Sequence, residues 1–291
     1  MRLGAKILKS ISGSPGYLLV SPPFAYAILL LVIPMTAVVA LSFWTQDYIQ
    51  LNREFTFANY QEAWTSPIYQ ILMLRSLKVS FFVTLVTVTL AFPVAYYISF
   101  HVSQSRKPLW IFLITIPFWT SYLLRIFLWK VILGYNGVIN GSLLELGMIN
   151  EPLQFLLFNQ GAVILTLSHA WIPFAILPIY VALEKIDRSL LEAAEDLGDG
   201  PFRRFLRVTL PLAVPGIVAA SLIVFIPTIG DYVTPRLVGG PNGLLIANMI
   251  EVQFKKANNA PLGAALALTA MIIVTIISLA FLWLNRKNLR T

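Results

Sequence analysis

"SLLEAAEDLGDGPFRRFLRVTLP", Ser189 to Pro211, interrupts an otherwise apolar chain. From Glu184 to Arg207, 11 of 24 positions are charged, although charged residues make up only 12% of the 291-residue sequence. The runs on either side, Pro152–Leu183 and Val208–Gly230, contain no Asp, Glu, Lys or Arg. Each is long enough to cross a bilayer, which takes roughly 17–25 helical residues. A short charged segment between two such runs is a loop at a membrane surface.

Composition agrees. Hydrophobic residues reach 58% and mean hydropathy is +0.78. A soluble domain carries about a quarter charged residues, so this chain cannot cover a water-soluble core with polar surface. The absence of cysteine excludes disulfides and thiolate metal sites. His101 and His169 are too far apart in sequence to suggest a metal site. The net charge of +8 is spread among loops and forms no nucleic-acid-binding stripe.

Six apolar stretches predict an all-α membrane protein, a single transmembrane domain over residues 1–291. The expected spans are about 17–44, 79–100, 109–129, 161–183, 212–235 and 262–284, with the charged loop at 184–211 between the fourth and fifth. Interior prolines such as Pro93, Pro173 and Pro178 are compatible with membrane helices, where neighbours satisfy the freed carbonyls. With even topology, the termini, Arg106-Lys107 and the charged loop share one side and carry 13 basic residues, against seven opposite. Positive-inside bias makes that side cytoplasmic. The basic start and long apolar run read as an uncleaved first span, not a signal peptide. On the other side, Asn136-Gly137 and Asn140-Gly141 are turn signals, and "SLLELGMI" (Ser142–Ile149) predicts a short amphipathic helix.

Within the charged loop, Ser189-x-x-Glu192 has the form of a capping box. Leu190, Leu191, Ala194 and Leu197 share one face of the short helix that follows, with Glu192, Glu195, Asp196 and Asp199 on its polar side. Gly198 and Gly200 end it, and Pro201 suits the first position of a second helix. Capping and positive-inside bias alone explain much of this pattern.

The spacing is more specific. Glu192-Ala193-Ala194, three residues, Gly198, nine residues, Val208, one residue and Leu210-Pro211 resembles the EAA signature of ABC importer permeases, with Val208 in place of isoleucine as the single departure. "PFWTSYLLRIFLWK" (Pro117–Lys130), "LEKIDRSLLEAAEDLG" (Leu183–Gly198) and "IGDYVTPRLVGG" (Ile229–Gly240) resemble the spermidine/putrescine-type branch of this type I family. The resemblance implies a permease subunit forming half of a path for a small organic solute, a polyamine or related amine. Other solutes implied are an amino-acid derivative, an opine or a phosphonate.

It also implies that the loop helix is a coupling helix docking on a separate ATPase. Ser189, Leu191, Glu192, Ala193, Ala194, Leu197, Gly198, Leu210 and Pro211 are its coupling residues. Leu191, Ala194 and Leu197 would fill the ATPase groove, while Gly198 permits a bend where a side chain would clash. The chain has no phosphate-binding G-x-x-x-x-G-K-[ST] loop, so ATP and Mg belong to the partner. The implied partners are a second homologous permease subunit, two ATP-binding subunits inside and a substrate-binding protein outside, in a bacterial inner membrane.

An ionisable residue at membrane depth is a functional suspect, because a centred charge costs roughly 2.5–3.5 kcal/mol even on insertion scales. Asp231, placed in the outer part of the fifth span, meets a cationic substrate, pairs with Arg236 or simply ends the helix. Tyr232 offers a hydroxyl and a ring face to a cation, or anchors at the interface. Arg125 either snorkels outward or gates the path with Asp231. His169 and Trp171 are weaker path candidates, and Trp44, Trp110 and Trp283 read as belt residues. An ion-coupled secondary transporter would need buried mid-span carboxylates, for which Asp231 is the sole candidate. No catalytic constellation marks a membrane enzyme.

Overall fold

The structure is a computed structural model that describes residues 15–48 and 50–287. Arg2, Lys6, Lys9 and Arg290, which enter the basic-residue count for orientation, lie outside the described residues. The described chain is almost entirely helical, with six helices long and apolar enough to cross a membrane.

Three helices build the centre: α3 (Pro67–His101), α7 (Gln160–Glu184) and α10 (Leu210–Ile229). They pack through small residues. Ala91, Ala95, Ala175, Ala213 and Ala220 are fully buried where the backbones approach, as expected where the gain comes from close packing, not from expelling water. The tightest crossing is at Gly216, where an added methyl would lie 2.6 Å from Ala182 Cβ and 2.6 Å from the Pro178 carbonyl. Val79, Val83, Val163, Leu167, Ile179 and Val224 fill the spaces between.

At the periphery, α1 (Pro15–Ser42) packs chiefly on α13 (Ala260–Asn285) and exposes most of its apolar surface. Such a helix is stable only with lipid against it. A two-stranded hairpin that the sequence reading did not anticipate follows α1. Its strands, β1 (Thr45–Asp47) and β2 (Gln50–Asn52), pair antiparallel with Gln46 opposite Leu51. Phe43 stacks on Phe55 beside it at 4.7 Å, and α2 (Ala58–Thr65) leads into α3.

Three expected boundaries differ. The second span begins at Pro67 and not near 79, because Arg75 and Lys78 sit within the helix. Arg75 satisfies itself by donating to the carbonyls of Pro241 and Leu244. The helix is therefore about 52 Å long, well beyond the roughly 30 Å hydrocarbon core.

The third stretch is not one helix. It divides into α4 (Lys107–Thr115), a 3-10 turn (Ile116–Trp119) and α5 (Tyr122–Leu133). Pro117 has no N–H to continue the ladder, and Thr120 is extended. The fifth span stops at Ile229, short of 235, with Gly230 as its cap.

Beyond α5, Asn136-Gly137 forms a turn, but Asn140-Gly141 lies inside α6 (Val138–Glu145). Asn140 is buried and spends its amide on the carbonyls of Gly134, Tyr135 and Leu153, while accepting from the Leu153 N–H. Its side chain pins a loop instead of making a turn.

Candidate functional site

The charged loop folds into α8 (Arg188–Asp196), the short α9 (Pro201–Arg204) and a π-helical turn (Phe205–Thr209) that runs into α10. Ser189 does not cap it. Asp187 stands one residue before α8 with extended backbone and accepts from the Ser189 N–H at 3.0 Å. A carboxylate at the positive end of a helix is a stronger acceptor than a hydroxyl. Hydrogen bonds from Ser189, main chain foremost, hold the Asp187 carboxyl below the ordinary aspartate value. The capping box is therefore absent, and Glu192 is exposed with no side-chain partner among the described residues.

The C-terminal end is a Schellman motif. The Asp199 N–H donates to the Ala194 carbonyl and the Gly198 N–H to that of Glu195. Gly198 has φ +84, and a methyl built on it would meet nothing within 4 Å. The left-handed backbone, not crowding, calls for glycine here. Pro201 opens α9 as expected. Pro211 cannot donate to the carbonyl of Arg207, and the ladder widens locally: the Leu210 N–H donates to Phe205, five residues back.

The apolar faces also sort differently. Leu191 and Ala194 turn inward, with Ala194 buried, whereas Leu190 is 47% and Leu197 88% exposed. Ala193 is exposed with them, and at i, i+3 and i+7 the three make one stripe. Phe202 and Leu206 add exposed apolar surface from the following turn. Ion pairs Arg204–Glu195 and Arg207–Asp199 brace the two legs of the loop.

Beneath α8 lies a cluster that the sequence did not single out. Lys107, only 5% exposed, donates to the Glu184 carboxylate at 2.6 Å. The Ser99 hydroxyl donates to the same oxygen at 2.7 Å. Arg188, the first residue of α8, donates to the Ser99 carbonyl at 2.7 Å and covers the Phe100 ring at 4.6 Å. On the other leg, Phe205 meets Phe92 and Tyr96 of α3 edge-on. In sequence, Lys107 looked like one more positive-inside residue and Glu184 like the start of a loop.

At the opposite end of α10, Asp231 is saturated. It accepts from the Tyr122 hydroxyl at 2.5 Å, the Thr234 hydroxyl at 2.6 Å and the Val233 N–H at 2.8 Å. Neither arginine pairs with it. Arg236 binds Glu251 at 2.9 Å, as does Lys255 at 3.0 Å. Burial alone would raise the Glu251 carboxyl, but these two cations hold it below the usual glutamate value. Lys255 also lies 5.7 Å from the Tyr232 ring centroid, so that ring face is already occupied by a cation.

Arg125 lies 5.9 Å from the Tyr122 ring centroid, and its Nε and one terminal nitrogen are buried without a partner among the described residues. His169 packs edge-on against Trp129, and Trp171 packs at a tilt against Phe174. A cleft of about 630 Å³ opens between α10, α12 (Ile246–Lys255) and α13. It is lined mainly by apolar residues such as Ile229, Ile246 and Met271, with Tyr232, Glu251 and Lys255 also on its wall.

The family described as binding-protein-dependent transport system inner membrane components matches residues 18–290. The chain belongs to that family. This permease is 36% identical over 264 residues to the spermidine/putrescine transport system permease protein PotB of Haemophilus influenzae, covering 90% of this chain and 91% of that one. It is 35% identical over 240 residues to the inner membrane ABC transporter permease protein YdcU of Escherichia coli, covering 78% and 75%. In fold it is similar to a chain of the crystal structure of a bacterial alginate ABC transporter in complex with alginate pentasaccharide-bound periplasmic protein. The TM-score is 0.76 at 18% identity, over 100% of this chain and 99% of that one. The permease is thus a multi-pass inner-membrane subunit of an ABC importer, a transport component and not an enzyme.

Proposed function

We propose that this permease forms half of the path of a polyamine importer, beside a second homologous permease subunit. The observation that carries the solute class is the 36% identity to a spermidine/putrescine permease across nine-tenths of the chain. α8 is the coupling helix, and both termini lie with it on the cytoplasmic side. Two ATP-binding subunits hold ATP and Mg on that side, and one of them docks through the stripe Leu190, Ala193 and Leu197. Leu191, Ala194, Gly198, Leu210 and Pro211 give that stripe its shape, and Glu192 is free to meet a basic residue of the ATPase. A binding protein delivers the solute at the opposite face.

A second reading concerns selectivity. Asp231 is filled by Tyr122, Thr234 and a main-chain amide, and Tyr232 already faces Lys255. Neither offers a vacant anionic or aromatic seat, and Arg125 brings positive charge nearby. These features favour selection by the binding protein, with the permease passing related small organic solutes.

Co-purification tests the docking reading. Leu197→Glu places a charge in the apolar stripe without touching the chain's own core, and is expected to abolish co-isolation of the ATPase while membrane insertion persists. Retained co-isolation in Leu197→Glu and Leu190→Glu together rules out docking through this face. Uptake of radiolabelled spermidine and putrescine by the reconstituted importer, with its binding protein, tests the solute; no uptake of either removes the polyamine assignment.

A further inference from the structure

α3 touches both ends of the molecule, as does α7, whose Gln160 donates to the Asn242 carbonyl at 3.1 Å while its Glu184 lies beneath α8. At the α8 end, the last turns of α3 hold both legs of the charged loop: Arg188 on the Ser99 carbonyl and Phe100 ring, Phe205 on Phe92 and Tyr96. Lys107 and Glu184 complete the joint, because the Glu184 carboxylate bonds Ser99 of α3 and Lys107 of α4 together. At the far end, the first turns of α3 hold the segment from Pro241 to Gln253. Arg75 donates to the carbonyls of Pro241 and Leu244, the Ser76 hydroxyl accepts from the Ile246 N–H at 2.8 Å, and the Tyr69 hydroxyl accepts from Gln253 at 3.2 Å.

A nearly buried ion pair is weak evidence for stability, since desolvation offsets much of its Coulomb energy. A packed helix is stiff along its axis, and bonds at both ends turn it into a connecting rod. From this we infer that α3 is a mechanical link of the importer alongside α7: Arg188, with the Lys107–Glu184 pair, positions α8 on α3, and movement of α8 reaches the 241–253 segment through that helix. The inference rests on α8 being the docking helix, but concerns residues that the docking stripe does not use.

The test exploits the absence of cysteine. Lys256→Cys, exposed just beyond α12, takes a single fluorescent label in the complete importer, reconstituted with its second permease, ATPase and binding protein. ATP is expected to change the label signal. In Arg188→Gln and in Lys107→Met, ATPase co-isolation and hydrolysis persist. The label response and the solute moved per ATP both fall at least about tenfold, the scale of one lost hydrogen bond to a charged group. Arg188→Lys, which keeps the charge and a donor for Ser99, restores most of the response.

An unchanged ratio and label response in both Arg188→Gln and Lys107→Met overturns the inference, as does a wild-type label that ignores ATP. Loss of ATPase co-isolation in Arg188→Gln would make Arg188 a docking residue, overturning its positioning role while leaving docking intact. Should Lys107→Met fail to insert, Arg188→Gln decides alone, because Arg188 lies outside the spans. Failure of the docking reading shows separately, as retained co-isolation in the stripe variants.

Discussion

At Gly198 two expectations separate: the left-handed helix stop is met with φ +84, whereas the chain's own surroundings are open and crowd no side chain. Gly198→Ala should therefore destabilise the end of α8 by about 1–2 kcal/mol through left-handed strain, and Gly198→Asn by less. Hydrogen-exchange protection of the last turn of α8 measures both, and equal protection in Ala and Asn variants would contradict strain as the cause. Asp187 makes a pH-dependent prediction. Its carboxyl is lowered in the fold, so its capping contribution is complete above the unfolded value of about 3.9 and fades as pH falls through the lower folded value. Protection of the first α8 amides should be flat from neutral pH to about 4 and decline below. Asp187→Asn should keep the cap and lose that dependence. At Asp231, Asn retains an oxygen for Val233 but cannot accept both hydroxyls. Asp231→Asn should thus slow uptake of charged and neutral solutes alike, whereas a deficit confined to cations would restore a direct contact.

At the scale of elements, the crossing of α7 and α10 sets the tightest steric demand. Gly216→Leu drives a side chain into Ala182 and the Pro178 carbonyl, and overpacking of that kind costs typically 1–3 kcal/mol. The thermal midpoint of the purified permease in detergent should drop, and Gly216→Ala should show part of the same loss. An unchanged midpoint in both would mean that α10 can shift freely along α7. Element boundaries were legible only in part. Charge-free runs located five of the six spans; the third membrane-length stretch is Tyr122–Glu145 and not 109–129, and the second run clipped the first three turns of α3, because Arg75 finds carbonyl partners over 160 residues away. The break at Pro117 was visible as a proline, and the sequence alone does not distinguish a tolerated membrane proline from one that ends a helix. The helix of the charged loop was expected from its pattern. Its cap lay two residues earlier because Asp187 outcompetes Ser189 for the free amides.

For the whole molecule, the gap between reading and structure follows from the range of the forces involved. Hydropathy, positive charge on loops and helix-stop chemistry are local sums, and they suffice to specify an all-helical membrane chain of six spans with a charged helical loop between the fourth and fifth. The spacing within that loop also pointed to the family. Which face of α8 stays open, what fills Asp231, and how Lys107, Glu184, Ser99 and Arg188 meet were decided by the tertiary structure alone. Each needs at least one partner 77 to 109 residues away, even Asp231, whose other bonds to Val233 and Thr234 are local. No window along the chain spans those separations, and a buried polar group takes whichever partner the packing of α3, α7 and α10 brings within hydrogen-bond reach.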